Sequence, residues 1–283
     1  MNFNTKTLTN ISISGCADYF SQGGVLYNSQ GWLAQYPLGK TDAAFTVPAT
    51  VSGTSIRFVS PYAFFNEKDL ISVNLGNLVT VSDFAFANCT SLTSLSGGEN
   101  ISYVAPFAFG ETGVFDETEQ FNTIGKVLVK YNGTATTLNE SDFPGGVERI
   151  ASYAFSDNDT LTEVNLPAYI HYLDDNAFDN CENLNKVRFL NAAFPTINGS
   201  PFADNSENFK IYCRKSLIDG LGEADKWSNY SEILQPVTTK AHFIDLNKTV
   251  DFYYGEVPNI PDDEIPGQYN FGWKTGKDIT KIL

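Results

Sequence analysis

Apolar residues recur along this chain with a period of about 23 residues, marked by an Ala-Phe pair. The pair occurs at Ala63-Phe64, Ala85-Phe86, Ala108-Phe109, Ala154-Phe155 and Ala177-Phe178, with Pro201-Phe202 as a degenerate sixth. Successive phenylalanines lie 22, 23, 46, 23 and 24 residues apart, and 46 is two periods of 23. One coil in the middle has therefore lost its Ala-Phe. Other positions keep the same phase. Five residues before each Phe stand Val59, Val81, Val104, Ile150, Leu173 and Ile197; eight before stand Ile56, Leu78, Ile101, Val147, Ile170 and Phe194. Six after stand Leu70, Leu92, Phe115, Leu161 and Leu184, and nine after stand Val73, Leu95, Val164, Val187 and Ile211. Asn208 and Thr118 break these last two series.

The phase predicts the elements. Leu161-x-x-Val164-x-Leu166 and Leu184-x-x-Val187-x-Phe189 end in the alternation of a strand with one buried face. The positions eight and five before Phe form a second apolar rib on the opposite wall. The Ala-Phe pair begins a short turn, expected as one helical turn, in which Ala permits close packing and Phe fills the space between coils. One unit alone leaves its apolar face bare, so stability must come from stacking on neighbours. The expected fold is a repeat solenoid with a parallel β ladder, short helical or extended segments on the opposite side, and β-hairpin inserts.

Gly23–Pro37 and Gly125–Leu138 interrupt the period. Each reads as strand, glycine-containing turn and strand, with Asn132-Gly133 as the expected hairpin turn of the second. Both are expected to decorate one edge of the solenoid. Residues 1–24 are expected to cap the first coil, because an open end exposes apolar groups and strand edges. The solenoid spans 25–235, closed by a strand and helix in Asn208–Leu234 with Trp227 and Tyr230 over the last Phe layer. Residues 236–283 form a tail or appendage. There, His242-x-Ile244-x-Leu246 and Val250-x-Phe252-x-Tyr254 alternate like strands. Pro258, Pro261 and Pro266 punctuate the acidic Asp262-Asp263-Glu264 and argue against a regular sheet there.

Composition narrows the function. The chain has 283 residues and a formal charge of −15, which argues against wrapping a phosphate backbone. No apolar run approaches the ~20 residues that cross a bilayer, so no membrane insertion is expected. The N-terminus lacks the features of a secretory signal. Cys16, Cys89, Cys181 and Cys213 form no CxxC pair, and Cys89 and Cys181 share one phase, as small buried hydrophobes in a stack would. Only His171 and His242 could serve a triad, without any nucleophile-elbow context. Asp174-Asp175 lacks calcium-loop spacing and reads as solvated surface acid. No catalytic residue, metal or cofactor is expected.

The segment Leu161–Leu184, LTEVNLPAYIHYLDDNAFDNCENL, resembles the leucine-rich repeat of BspA-like surface proteins, as does Leu70–Leu92. The resemblance covers about residues 25–235. It implies an extracellular or cell-surface protein with an adhesive or protein-binding role. Outward strand positions are the expected contact surface: Ser72, Asn74, Ser94, Ser96, Glu163, Asn165, Lys186, Arg188, Lys210 and Tyr212, on one open face that starts polar and ends basic. A basic corner on so acidic a chain suits an acidic protein patch or a sulfated glycan. The expected function is a non-enzymatic module binding a protein or glycan. The alternative is a structural subunit of a larger extracellular or virion assembly, docked through the tail.

Overall fold

The computed structural model describes residues 7–223, 225–243 and 248–255. The chain divides into two units, Met1–Gln235 and Pro236–Leu283.

In the first unit the coils build two ladders, each coil supplying one strand to each except the coil of Phe109, which supplies only the first. One ladder pairs Trp32–Gln35, Phe58–Val59, Thr80–Val81 and Tyr103–Val104 in parallel; it resumes with Val127–Tyr131, Arg149–Ile150, Tyr172–Leu173 and Thr196–Ile197. The opposite ladder runs Ala44–Thr46, Ser72–Asn74, Ser94–Ser96, then Thr137–Leu138, Glu163–Leu166, Lys186–Phe189 and Lys210–Cys213. The register is one repeat: Val73 stands beside Leu95, Val164 beside Val187, and Val187 beside Ile211. The wall opposite the long strands is extended, not helical: a two-residue strand, one buried Val, Ile or Leu beside a Phe, Tyr, Thr or Arg, continues the ladder in each coil outside the hairpins.

The six anchor phenylalanines are all buried between the ladders. They stack face to face, Phe64 on Phe86 at 4.5 Å, Phe86 on Phe109 at 5.1 Å, Phe155 on Phe178 at 4.6 Å and Phe178 on Phe202 at 5.5 Å. Main-chain bonds reinforce each step: the Phe64 N–H donates to the Ala85 carbonyl at 2.8 Å, Phe86 to Ala108 at 2.7 Å and Phe155 to Ala177 at 2.8 Å. The small Ala brings that carbonyl within reach. The chain here is a hydrogen-bonded turn, not the expected helical turn. Cys89 and Cys181 occupy equivalent places, each Sγ donating to the carbonyl of an anchor, Phe64 or Phe155, at 3.1 Å. Burial pushes their thiols up to about 12 and about 11, so neither is a thiolate at neutral pH.

The hairpins are rungs of the solenoid, not edge decoration. Leu33 and Leu128 enter the short-strand ladder opposite Val59 and Ile150. Tyr36 and Tyr131 then take the anchor's place: Tyr36 stacks on Phe64 and Tyr131 on Phe155, both at 4.9 Å. Their N–H groups donate to Ala63 and Ala154 as a Phe would, at 2.8 Å. Tyr131 is therefore the missing rung. The second hairpin also lies earlier than expected, pairing Phe121–Ile124 with Val127–Tyr131 around Gly125-Lys126. Gly125 has φ 56°, and a Cβ there would meet the Ile101 carbonyl oxygen at 2.5 Å. A glycine first in a two-residue loop suits a hairpin of this kind. Asn132 instead donates its amide to the Asp116 and Glu119 carbonyls, and Gly133 leaves room for the Tyr131 ring.

At the N-terminal end Tyr19–Gln22 pairs antiparallel with Val25–Asn28, which pairs with Trp32–Gln35, so the meander begins before Gly23. At the other end of this unit Trp227 is buried. It stacks on Phe194 at 4.9 Å and donates from Nε1 to the Pro195 carbonyl at 2.7 Å. Tyr230 meets Phe202 edge-on at 5.7 Å. These contacts cover the last Phe layer as expected.

In the second unit Thr238–Phe243 and Lys248–Tyr253 form an antiparallel pair. The readings made for Ile244, Leu246, Pro258, Pro261, Pro266 and Asp262–Glu264 lie outside the described residues. No helix among the described residues is long and apolar enough to cross a membrane.

Candidate binding surface

The sequence-predicted contact residues occupy two separate strand faces. Ser72, Asn74, Ser94 and Ser96 belong to the first, in register with Ala44 and Thr46. Glu163, Asn165, Lys186, Arg188, Lys210 and Tyr212 belong to the second. The expected single open face is broken at the coil between them. There the apolar rhythm fails at Thr118, whose N–H bonds the Asp116 carboxylate at 2.8 Å, closing a side-chain turn where a strand would run.

On the second face Glu163, Lys186 and Lys210 form one row, and Arg188 and Tyr212 the row beside it. Asn165 departs from expectation: it is buried, its amide donating to the Glu163 carboxylate at 3.0 Å and reaching the Leu138 carbonyl at 3.4 Å. The chain leaves the ladder just after Leu138, into the 3-10 turn Glu140–Asp142 beside this register. The basic corner is largely neutralised as well. Lys186 pairs with Glu163 at 2.9 Å and Arg188 lies 4.0 Å from Glu140. Burial pushes the Glu163 carboxyl up, but hydrogen bonds from Lys186 and Asn165 and the nearby cations outweigh it and hold it below the ordinary range. Lys210 forms no ion pair among the described residues.

Asp174 is not the solvated acid expected. It is buried, ion-paired to Arg149, and accepts from the Asn198 amide at 2.7 Å. Arg149 lies over the rings of Tyr172 at 4.2 Å and Tyr103 at 5.1 Å, and donates from Nε to the Ser102 carbonyl at 2.8 Å. This cluster clamps neighbouring coils. His171 is exposed; the side chain of His242 lies outside the described residues. Among the described residues no three His, Cys, Asp or Glu side chains converge as a metal site.

One surface feature escaped the sequence reading. Tyr62, Phe84, Phe107 and Tyr153, each two residues before an anchor, form a second, external stack. Consecutive rings lie 5.2, 5.3 and 5.4 Å apart. Tyr62 is 52% exposed and Phe107 53%. All four backbones are left-handed, with φ of 60°, 54°, 56° and 61°, where bulky side chains are disfavoured. The first two pairs are stacked and the third is tilted, and Asn176, two before Phe178, has the same left-handed backbone at φ 56°. The signal of this external stack was in the sequence, as aromatics at one fixed phase, but it lay at a position that burial periodicity does not select.

These features define the class: a leucine-rich repeat solenoid whose surfaces are open strand faces and turn edges. Six copies of the BspA type leucine rich repeat region match residues 57–128 and 122–224, and the chain belongs to that family. Among solved structures it is similar to a leucine rich repeat protein of T. pallidum, with 23% identity over 56% of this chain and 78% of that one and a TM-score of 0.36. It is similar to the pneumococcal vaccine antigen PcpA, with 16% identity over 80% of this chain and a TM-score of 0.37, and spans 49% of that chain. A leucine rich cell surface protein of Faecalibacterium prausnitzii matches at 15% identity over 74% of this chain and 91% of that one, with a TM-score of 0.27. No curated protein matches.

Proposed function

We propose that this chain is a non-enzymatic binding module, working outside the cell or at its surface, that contacts a protein or glycan through the second strand face. The observation that carries this reading is the ladder itself: parallel strands in one-repeat register set Glu163, Lys186 and Lys210 in a single half-buried row. A repeated row suits an extended partner better than a small substrate, because each coil adds one similar contact. Membership of the BspA type family supports the surface location.

The ion pairs move the centre of this contact. Lys186 and Arg188 already face Glu163 and Glu140, so the contact rests on Lys210 and Tyr212 at the end of the row. The test is a Lys210→Glu, Tyr212→Ser variant, with the wild-type fold verified by circular dichroism. Both proteins are applied to an array of sulfated and neutral glycans and to a panel of purified extracellular matrix proteins. The expected result is wild-type binding to at least one ligand and at least tenfold weaker binding by the variant. Equal binding by the two proteins, or no wild-type binding, would contradict the reading.

A further inference from the structure

The coil of Tyr131 has a hairpin strand but no Ala-Phe turn, and this leaves a gap in the turn edge of the solenoid. Phe107 and Tyr153 close over it, their rings 5.4 Å apart. Beneath them lies a notch of about 480 Å3 whose lining includes Phe107, Phe109, Phe115, Tyr153, Asp157 and Asp179. Its floor is apolar and its rim on one side is acidic. The acidic side continues along the same edge, where Asp204 and Asp175 also raise the energy of charge on Asp179. Burial first, and then Asp204, Asp157 and Asp175, push the Asp179 carboxyl up. Among the described residues none of these four aspartates forms an ion pair. The external ring ribbon runs away from the notch in the other direction, through Phe84 to Tyr62.

We propose that this notch docks a basic segment of a partner protein. A lysine or arginine of that segment lays its aliphatic stem on the apolar floor and brings its charge to Asp157 and Asp179, while apolar neighbours lie along Phe107, Phe84 and Tyr62. The inference goes beyond the strand-face reading and uses a different surface.

Three physical points select this occupant. Unpaired carboxylates on a chain of charge −15 repel sulfated glycans, nucleic acids and anionic lipid headgroups. A neutral sugar stacks on ring faces, but here the inner rings turn their faces to each other and present edges. A long basic side chain has the required mixture, an apolar stem with a charged tip. Lys130 also lines the notch, yet it forms no ion pair with Asp157 or Asp179, so it leaves their charge to a visitor.

The test uses the full chain and a fluorescein-labelled hexapeptide of alternating leucine and arginine, read by fluorescence anisotropy at 0.15 M salt. The matched probe replaces each arginine with glutamate. The notch variant is Asp157→Asn with Asp179→Asn. Asn suits position 157, where φ is 59°, and keeps an acceptor for the Asn180 amide, now 2.8 Å from Asp157. The charge-matched control is Glu117→Gln with Glu119→Gln, both exposed and neither lining the notch. The expected result is binding of the arginine peptide by wild type and by the control within twofold of each other, at least tenfold weaker binding by the notch variant, and none of the glutamate peptide. The Lys210→Glu, Tyr212→Ser variant should bind the arginine peptide as wild type does, which separates this site from the strand face. Equal weakening by notch variant and control would mean that net charge alone attracts the peptide. That result, or no binding by wild type, would overturn the proposal.

Discussion

Phe178→Ala is expected to lower the free energy of unfolding by about 3–5 kcal/mol, measured by urea denaturation. The Phe178 ring is fully buried between Phe155 at 4.6 Å and Phe202 at 5.5 Å. Removing it takes contact from three coils at once, and the main-chain bond from Phe178 to the Pro201 carbonyl keeps those coils from closing on the space. A loss below about 1 kcal/mol would mean that the ring is not buried between coils. The same change at Phe202 should cost less, because its coil is near the end of the stack and it is 7% exposed.

Arg149→Met is expected to cost a similar amount, about 3–5 kcal/mol at pH 7, because it leaves the buried Asp174 charge without its partner. Burial already pushes the Asp174 carboxyl up, in spite of the Asn198 amide and the Arg149 guanidinium. Loss of Arg149 raises it further. A carboxyl whose folded pKa lies above its unfolded value destabilises the fold at high pH, and the penalty fades as pH falls through the folded pKa toward the unfolded one, about 3.9. Denaturation of the variant at pH 7 and pH 4 should therefore show a smaller deficit at pH 4. Adding Asp174→Asn should recover most of the loss at pH 7. A pH-independent deficit that the second change fails to rescue would mean that Arg149 matters through packing on Tyr103 and Tyr172 instead.

The buried half of each repeat was legible in the sequence because burial imposes a period. Phe64, Val59, Leu70 and their equivalents each face the same neighbours one coil away, so the same residue type recurs. Tyr131 was harder to find although it lies 22 residues after Phe109, because the hairpin that carries it drops the Ala and the turn. The anchor's work there is done by a ring three residues after Leu128, where a regular coil places it five after Val59. The hairpin turn was misplaced for a related reason. Asn132-Gly133 has the composition of a tight turn, but its glycine answers to the Tyr131 ring, a contact that local composition does not reveal.

The candidate surfaces were legible only in part. Alternation along a strand correctly set Lys186 and Lys210 outward, but it could not show that Glu163 and Glu140 approach the basic side chains or that Asn165 is buried. The break between the two faces depends on the Asp116 carboxylate capturing the Thr118 amide, a local bond with no period. Asp174 looked like surface acid because its partners, Arg149 and Asn198, stand 25 and 24 residues away, one coil on either side.

Amide hydrogen exchange across the chain tests the stacked-rung account most directly. The N–H groups of Tyr36, Phe64, Phe86, Tyr131, Phe155 and Phe178 each cross to the next coil, so all six should exchange in the slowest class, near the rate set by global unfolding. Slow exchange at the four phenylalanines with loop-like exchange at Tyr36 and Tyr131 would contradict it, since the two hairpins would then be ornaments on the solenoid and not coils of it.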